Sequence, residues 1–342
     1  MWQAKFLAED PLYLECNISQ CQKKVGNLCI ERTCNASITF RLVNIRTNIT
    51  FVLFTGGFDT PCILKTLDPI RFNSPAAPLY GHLSCNDSTG TTMKLTWVSG
   101  DSRKNSAVIT FNKSDLCVNN SGPAASFGWH DPGFIHSALL TGLLPSSTYT
   151  YKYGSDLVGW SIYTNFATPP APARSATVRF IAYGDMGKAE RDGSIEDYIQ
   201  PGSLQVIDAV TAEVLAGNVD AVFHIGDISY ATGFIAEWEF FLEMIHPDAS
   251  EVPYLTAIGN HERDFPDSGS FYTTRDSGGE CGVPYETHFQ MPIQGKDMPW
   301  CSIELGPVHF TIMSTEHNWT LGSDQYIFSS NGTVGDSFKI VK

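Results

Sequence analysis

The chain has 342 residues, with 36 acidic against 22 basic side chains and a formal net charge of −14 at pH 7. That balance argues against a nucleic-acid-binding role, because phosphate backbones are met by clustered Lys and Arg and no such patch stands in the sequence. No apolar run approaches the roughly 20 residues a membrane-spanning helix needs, so no such span is expected, and the length suffices for more than one buried core.

Residues 1–75 read as a β-rich amino-terminal extension. Within it, residues 37–43 and 50–54 alternate or cluster apolar side chains, ahead of a turn at Gly56-Gly57. The start, residues 1–11, lacks the apolar core of a signal peptide. From 76 to 170 short strands between turns are expected at 93–98, 107–111, 137–144, 148–154 and 160–166, the pattern of a small β-sandwich. Leu143-Leu144-Pro145-Ser146-Ser147-Thr148-Tyr149-Thr150-Tyr151 resembles the turn and strand of fibronectin type III modules, where an aromatic corner pins the sheet. Residues 168–174, rich in Pro and Ala, read as a linker.

Residues 171–326 change period. Apolar runs at 178–183, 219–225 and 254–258 have the length and composition of strands buried on both faces. Between the first two, Leu204, Ile207, Val210, Val214 and Leu215 fall at helical spacing, and residues 238–245 predict a second helix. Strand, helix, strand, helix, strand implies a parallel sheet whose loops gather into one crevice at the carboxyl ends of the strands.

Each run delivers a short motif into that crevice: Gly184-Asp185-Met186-Gly187, Gly226-Asp227-Ile228-Ser229-Tyr230 and Gly259-Asn260-His261-Glu262. Carboxylates are hard oxygen ligands able to hold or bridge cations, an Asn carbonyl adds an uncharged oxygen, and a His adds an imidazole nitrogen. Two cations a few ångströms apart can hold a phosphate and stabilise both its attacking and its leaving oxygen. Singly each motif is an ordinary loop signal; three in order, each after a strand, point to a two-metal phosphoesterase.

These motifs, with Arg263-Asp264-Phe265 and with Ser277-Gly278-Gly279-Glu280-Cys281-Gly282-Val283-Pro284-Tyr285-Glu286, resemble the larger plant-type purple acid phosphatases of the calcineurin-like metallophosphoesterase superfamily. The resemblance runs from about residue 38 to 326. It implies a multidomain α+β and α/β fold, a fibronectin type III-like β-sandwich ahead of a metallophosphoesterase domain. It implies that Asp185 and Tyr230 bind Fe(III), that Asp227 bridges, that Asn260 binds a divalent Zn, Mn or Fe, and that His261 contacts the phosphate of a monoester substrate. It also implies a secreted or vacuolar protein and, through an unpaired cysteine, a possible homodimer.

The same resemblance marks departures. The family carries VxxH and GHxH segments further along, which supply the remaining histidine ligands, and these 342 residues hold neither. The phosphoesterase domain is therefore expected to be incomplete, carboxy-terminally truncated, impaired in activity and short of sheet partners. His317 and His309 read as structural residues rather than substitutes. Residues 327–342, rich in Ser, Gly and Asn, show no helical period and read as an atypical tail, from an altered reading frame or a short isoform. Between residues 101 and 108 the sandwich is shorter than in relatives by about one hairpin arm, so a missing or damaged edge strand is expected. The alternative readings are an inert glycosylated binding or decoy fragment and another metallophosphoesterase such as a phosphodiesterase.

Nine cysteines, Cys16, Cys21, Cys29, Cys34, Cys62, Cys85, Cys117, Cys281 and Cys301, show no zinc-finger spacing and favour disulfides, with at least one thiol free or intermolecular by parity. Asn17, Asn35, Asn48, Asn86, Asn112, Asn119, Asn318 and Asn331 each open an N-x-Ser/Thr triplet. Chance would give roughly three, so the excess favours passage through the secretory pathway.

Overall fold

The computed structural model describes residues 18–341 apart from 36, 38, 56–61, 88–90, 103–106, 118–121, 193–199, 294 and 332–336. Two hairpins open the chain. Strands β1 (Ile18–Val25) and β2 (Leu28–Asn35) pair antiparallel, as do β3 (Val52–Thr55) and β4 (Cys62–Thr66). The strand expected at 37–43 does not form among the described residues. That stretch instead buries Val43 and Ile45 and fixes its backbone through side chains, with Asn44 Nδ2 donating to Ser74 O and the Arg46 N–H to Asn44 Oδ1.

The sandwich region is built on a four-stranded antiparallel sheet in the order β5 (Leu79–Cys85), β6 (Met93–Ser99), β8 (Phe134–Leu140), β7 (Ala107–Ile109). Two short pairs complete it: β9 (Thr148–Tyr151) with β12 (Thr164–Ala167), and β10 (Gly154–Ser155) with β11 (Gly159–Trp160). The two long strands expected at 148–154 and 160–166 thus each break in two, because the Gly154–Trp160 hairpin turns the chain back on itself. The edge strand β7 is three residues long, and residues 103–106 before it, where the shortening is expected, lie outside the described residues. The aromatic corner is present: Tyr149 Oη accepts the Leu144 N–H at 2.8 Å. The expected linker is clamped, with Thr168 Oγ1 donating to Leu144 O and Ala173 N–H to Gly306 O.

The parallel sheet is β13 (Phe180–Tyr183), β14 (Ala221–Ile225), β15 (Tyr254–Ala257), in that order, linked by helices α1 (Ser203–Leu215) and α2 (Glu237–Ala249). Alternation along the strands sorts its side chains into two cores. Val222 and Tyr254 join Ile207, Val210, Trp238 and Phe241 on the helical side. Ala221, Phe223, Leu255 and Ala257 face the opposite way, against Ile303, Phe310 and Ile312 of a further sheet. Phe223 and Phe310 stack with ring centroids 4.5 Å apart. Each such buried ring stabilises the layers by roughly 2–3 kcal/mol, and coverage on both faces explains the near-continuous apolar runs.

After two short helices, α3 (Asn260–Arg263) and α4 (Val283–His288), the further sheet pairs β16 (Cys301–Leu305) antiparallel with β17 (Val308–Met313). Here the structure corrects the sequence reading of the tail. Helix α5 (Asp324–Asn331) forms, and β18 (Ser337–Val341) pairs in parallel with β17. The helix needs no amphipathic period because a tertiary bond anchors it: Gln325 Oε1 accepts the Ser314 N–H at 2.6 Å and Gln325 Nε2 donates to Ser314 O at 2.7 Å. The tail therefore supplies a sheet partner rather than leaving β17 bare.

Candidate functional site

The three motifs meet at the carboxyl ends of β13, β14 and β15, held by their own backbones. Asp185 N–H donates to Gly226 O at 3.1 Å and Gly226 N–H to Ala257 O at 2.9 Å. Tyr230 Oη lies 3.4 Å from both Asp185 Oδ1 and Asp227 Oδ2, so a phenol and two carboxylates converge. All three residues have left-handed backbone, φ 56° at Asp185, 50° at Asp227 and 52° at Tyr230. A non-glycine residue held there stores strain of order 1 kcal/mol or more, which persists only where the surroundings fix it.

Close packing supplies that constraint. A Cβ on Gly259 would stand 2.2 Å from Asp227 Oδ1 and 2.4 Å from Asp227 N, so only glycine lets the third motif lie against the second. His261 N–H then donates to Asp227 Oδ1 at 3.3 Å, and the His261 ring sits 4.3 Å from that of Tyr230. Asp227 is buried and Asp185 exposed, with Tyr230, Asn260 and His261 between, so the site opens to solvent on its Asp185 side. The Tyr230 phenol is pushed well above its usual range, first by burial and then by the negative charges of Asp227 and Asp185.

Sequence reasoning named the first five residues but missed those that hold them. Glu262 accepts the Ile228 N–H at 2.7 Å and the Gly259 N–H at 3.0 Å, strapping the second motif to the third; the signal was the Glu half of a capping box, three residues after the Gly259 N-cap. Glu280 accepts Gly233 N–H and Trp238 Nε1–H at 2.7 and 2.8 Å, and burial still pushes it up to about 8. Lys188, just past the first motif, forms a buried ion pair with Glu237 of α2 at 2.5 Å. Asn260 Nδ2 donates to Asp276 Oδ2 at 2.8 Å, which turns its carbonyl oxygen the other way. Nearby, burial and the adjacent Glu316 raise Asp264 to about 7.

His317 is bonded to Ser314 Oγ and Asp297 Oδ1 beneath α3, and His309 pairs with Glu304 along the β16–β17 ladder. Both sit in structural contacts. Of the glycosylation triplets, Asn48, Asn112 and Asn318 are exposed and Asn86 is half-buried. Asn35 lies in β2 and Asn331 in α5, while Asn17 and Asn119 fall outside the described residues. Cys117 and Cys281 form a disulfide that ties the segment after β7 to the loop before α4.

The donor set fits one hard cation. Two carboxylates and a phenol offer the oxygens such an ion takes, and His261 Nδ1 is buried with no hydrogen-bond partner among the described residues. A second cation would find Asn260 and the shared Asp227 but no imidazole ligand, and no group of three or more His, Cys, Asp or Glu side chains suited to a metal occurs among the described residues.

Comparison with known proteins gives three family matches. Residues 3–74 match the Fn3-like domain from purple acid phosphatase, 78–168 the purple acid phosphatase N-terminal domain, and 178–322 the calcineurin-like phosphoesterases. The chain is 42% identical over 321 residues to "Probable inactive purple acid phosphatase 27" of Arabidopsis thaliana, covering 87% of this chain and 51% of that protein. It is 43% identical over 173 residues to "Nucleotide pyrophosphatase/phosphodiesterase" of Hordeum vulgare, covering 50% of this chain and 46% of that one. Its fold is similar to that of purple acid phosphatase PPD1 from yellow lupin seeds, with a TM-score of 0.79 and 39% identity over 85% of this chain and 54% of the lupin chain. The chain thus spans about half the length of the relatives it matches. No described helix is long and apolar enough to cross a membrane.

Proposed function

The chain belongs to the purple acid phosphatase family, and from that premise we propose that its three motif loops form a metal-dependent site for phosphate monoesters that turns over weakly in these 342 residues. The observation that carries this reading is the convergence of Asp185, Asp227 and Tyr230 in left-handed backbone. The family uses a binuclear metal centre. In this reading Asp185, Asp227 and Tyr230 would hold Fe(III), and Asn260 with the shared Asp227 would hold a divalent Zn, Mn or Fe. When bound, the metals would polarise the phosphoryl oxygens and neutralise the charge that develops in the transition state.

The chain's own residues do the rest. His261, wedged against Tyr230 with its Nδ1 buried, has Nε2 left to grip a phosphoryl oxygen. The Tyr230 phenol keeps its proton while the site is bare, since losing it would set a third negative charge beside two carboxylates. Asp276 holds the Asn260 amide so that its carbonyl is the group on offer. Two oxygens at the divalent position are too few to compete with water, from which weak turnover is expected, in line with the "probable inactive" name of the Arabidopsis relative.

The test is metal content and hydrolysis of p-nitrophenyl phosphate, on protein from a secretory host supplied with iron and zinc. We expect about one metal per chain and slow turnover that Asp227→Ala abolishes. Two metals with full turnover would overturn the impairment, and phosphate release surviving Asp227→Ala would overturn the site. The barley relative favours a second reading, phosphodiester or pyrophosphate cleavage, for which faster turnover of bis(p-nitrophenyl) phosphate is the signature. Loss of all turnover with no metal would leave the inert binding fragment. The disulfide and the exposed triplets support a secreted or vacuolar glycoprotein, and the exposed free thiol of Cys62 supports a homodimer.

A further inference from the structure

We propose that the β-sandwich carries a binding site for a small monocyclic aromatic acid, apart from the motif loops. Along β6, residues Leu95, Trp97 and Ser99 alternate onto one face, and Ala138 and His136 of β8 stand directly across from Leu95 and Trp97. That face is packed against residues 152–160, which include β10 and β11, and a cavity of about 220 Å³ lies between them.

The floor is buried and aromatic. Trp97 stacks on His136, centroids 5.1 Å apart and planes within 9°, and leans on Tyr153 at 5.5 Å. Burial lowers the His136 pKa and so disfavours a charged ring, and its Nε2 is bonded to Ser99 Oγ at 2.7 Å. At the exposed rim, Lys152 Nζ stands 4.4 Å from the Trp160 centroid and 5.3 Å from that of Tyr163. Cation–π contact positions that ammonium without neutralising it.

Size, surface and charge together set the ligand class. An apolar cavity of about 150 Å³ takes up benzene, so this one admits a single ring with a short substituent and excludes a nucleotide or a disaccharide. Walls of Leu95, Ala138, Leu140 and Val158 suit a flat apolar ring more than a hydroxyl-rich sugar. Lys152 calls for an anion at the rim, and Asp101 in the same lining disfavours a second negative charge. The fit is a monoanionic aryl acid.

Isothermal titration of the full chain with 4-hydroxybenzoate, its uncharged analogue 4-hydroxybenzamide, and N-acetylglucosamine tests this. The acid is expected to bind about tenfold more tightly than the amide. Lys152→Met, at an exposed position, should erase that preference and leave amide binding intact. Ala138→Phe should fill the cavity and abolish both; if that variant fails to fold by circular dichroism, Lys152→Met decides alone. Absence of acid binding, acid binding indifferent to Lys152→Met, or binding of the sugar in place of the acid would each overturn the proposal. Metal content should be the same in Lys152→Met as in the parent, which separates this outcome from that of the motif loops.

Discussion

The parallel sheet and the β-sandwich of this chain solve the same packing problem with opposite results. Strands β14 and β15 are covered on both faces, by α1 and α2 on one side and by β16 and β17 on the other, and the loops at their ends are strapped by the buried carboxylates of Glu262 and Glu280. The sandwich divides its second layer into two short pairs, leaves Ile162 and Tyr163 79% and 70% exposed, and retains an open cavity. Full coverage fixes a few polar atoms to within a hydrogen bond, which a metal site needs. Partial coverage leaves room, which a binding site needs.

Cutting the tie between the two regions should have the largest effect. Cys117→Ser removes a disulfide that closes a separation of 164 residues, and the expected loss is about 3–5 kcal/mol, with the single unfolding transition splitting in two. Denaturant unfolding followed by near-ultraviolet circular dichroism would show whether it does.

Next comes the buried ion pair on the metal-motif side. Lys188→Met removes the buried cation opposite the Glu237 carboxylate and should cost about 3 kcal/mol, whereas Lys188→Met with Glu237→Leu should recover most of it. A double mutant as unstable as the single would mean that the pair does more than neutralise itself. Calorimetric melting of the four proteins of that cycle is the measurement.

Acidity sharpens the comparison further. Glu280 and Asp248 are both pushed up to about 8 by burial, so between the usual carboxylate range and pH 8 the folded chain holds protons that the unfolded chain has lost. Their contribution is complete in acid and disappears as pH rises through about 8. His288 runs the other way. Burial lowers it to about 3, so its contribution is present above about pH 6.5 and is lost as pH falls toward 3. Two raised carboxylates outweigh one lowered histidine above the usual carboxylate range, so melting temperature should peak at about pH 4–5 and fall toward pH 8, and Glu280→Gln should make that fall shallower. Scanning calorimetry across this range would reveal either shape.

The smallest effect is expected on the sandwich surface. Thr150→Ala removes an exposed cross-strand bond of 2.7 Å to Asn165 and should change stability by less than about 0.5 kcal/mol. A larger loss, read from the same melts, would show that the sandwich is as tightly determined as the sheet.

Much of the phosphoesterase half was legible because its signals are local. The runs at 178–183, 219–225 and 254–258 became β13, β14 and β15, and Asp185, Asp227, Tyr230, Asn260 and His261 all came to one crevice. In the sandwich the strand ends slipped: the run expected at 137–144 is β8 at Phe134–Leu140, since half-buried strands carry weaker boundaries than buried ones. The tail was misread for a further reason. Helix α5 and strand β18 depend on Gln325 reaching Ser314 and on a free edge of β17, neither of which leaves a period in the sequence.

The sequence alone determined the order of elements, the three motif loops and the chemistry of their side chains, because each rests on spacing within a few residues. Only the tertiary structure decided that Asp185, Asp227 and Tyr230 adopt left-handed backbone around a shared point, that Glu262 and Glu280 strap the loops, and that the sandwich keeps a cavity under Lys152. Those depend on contacts between residues tens of positions apart, where the free energy lies in packing and desolvation and leaves no local pattern to read.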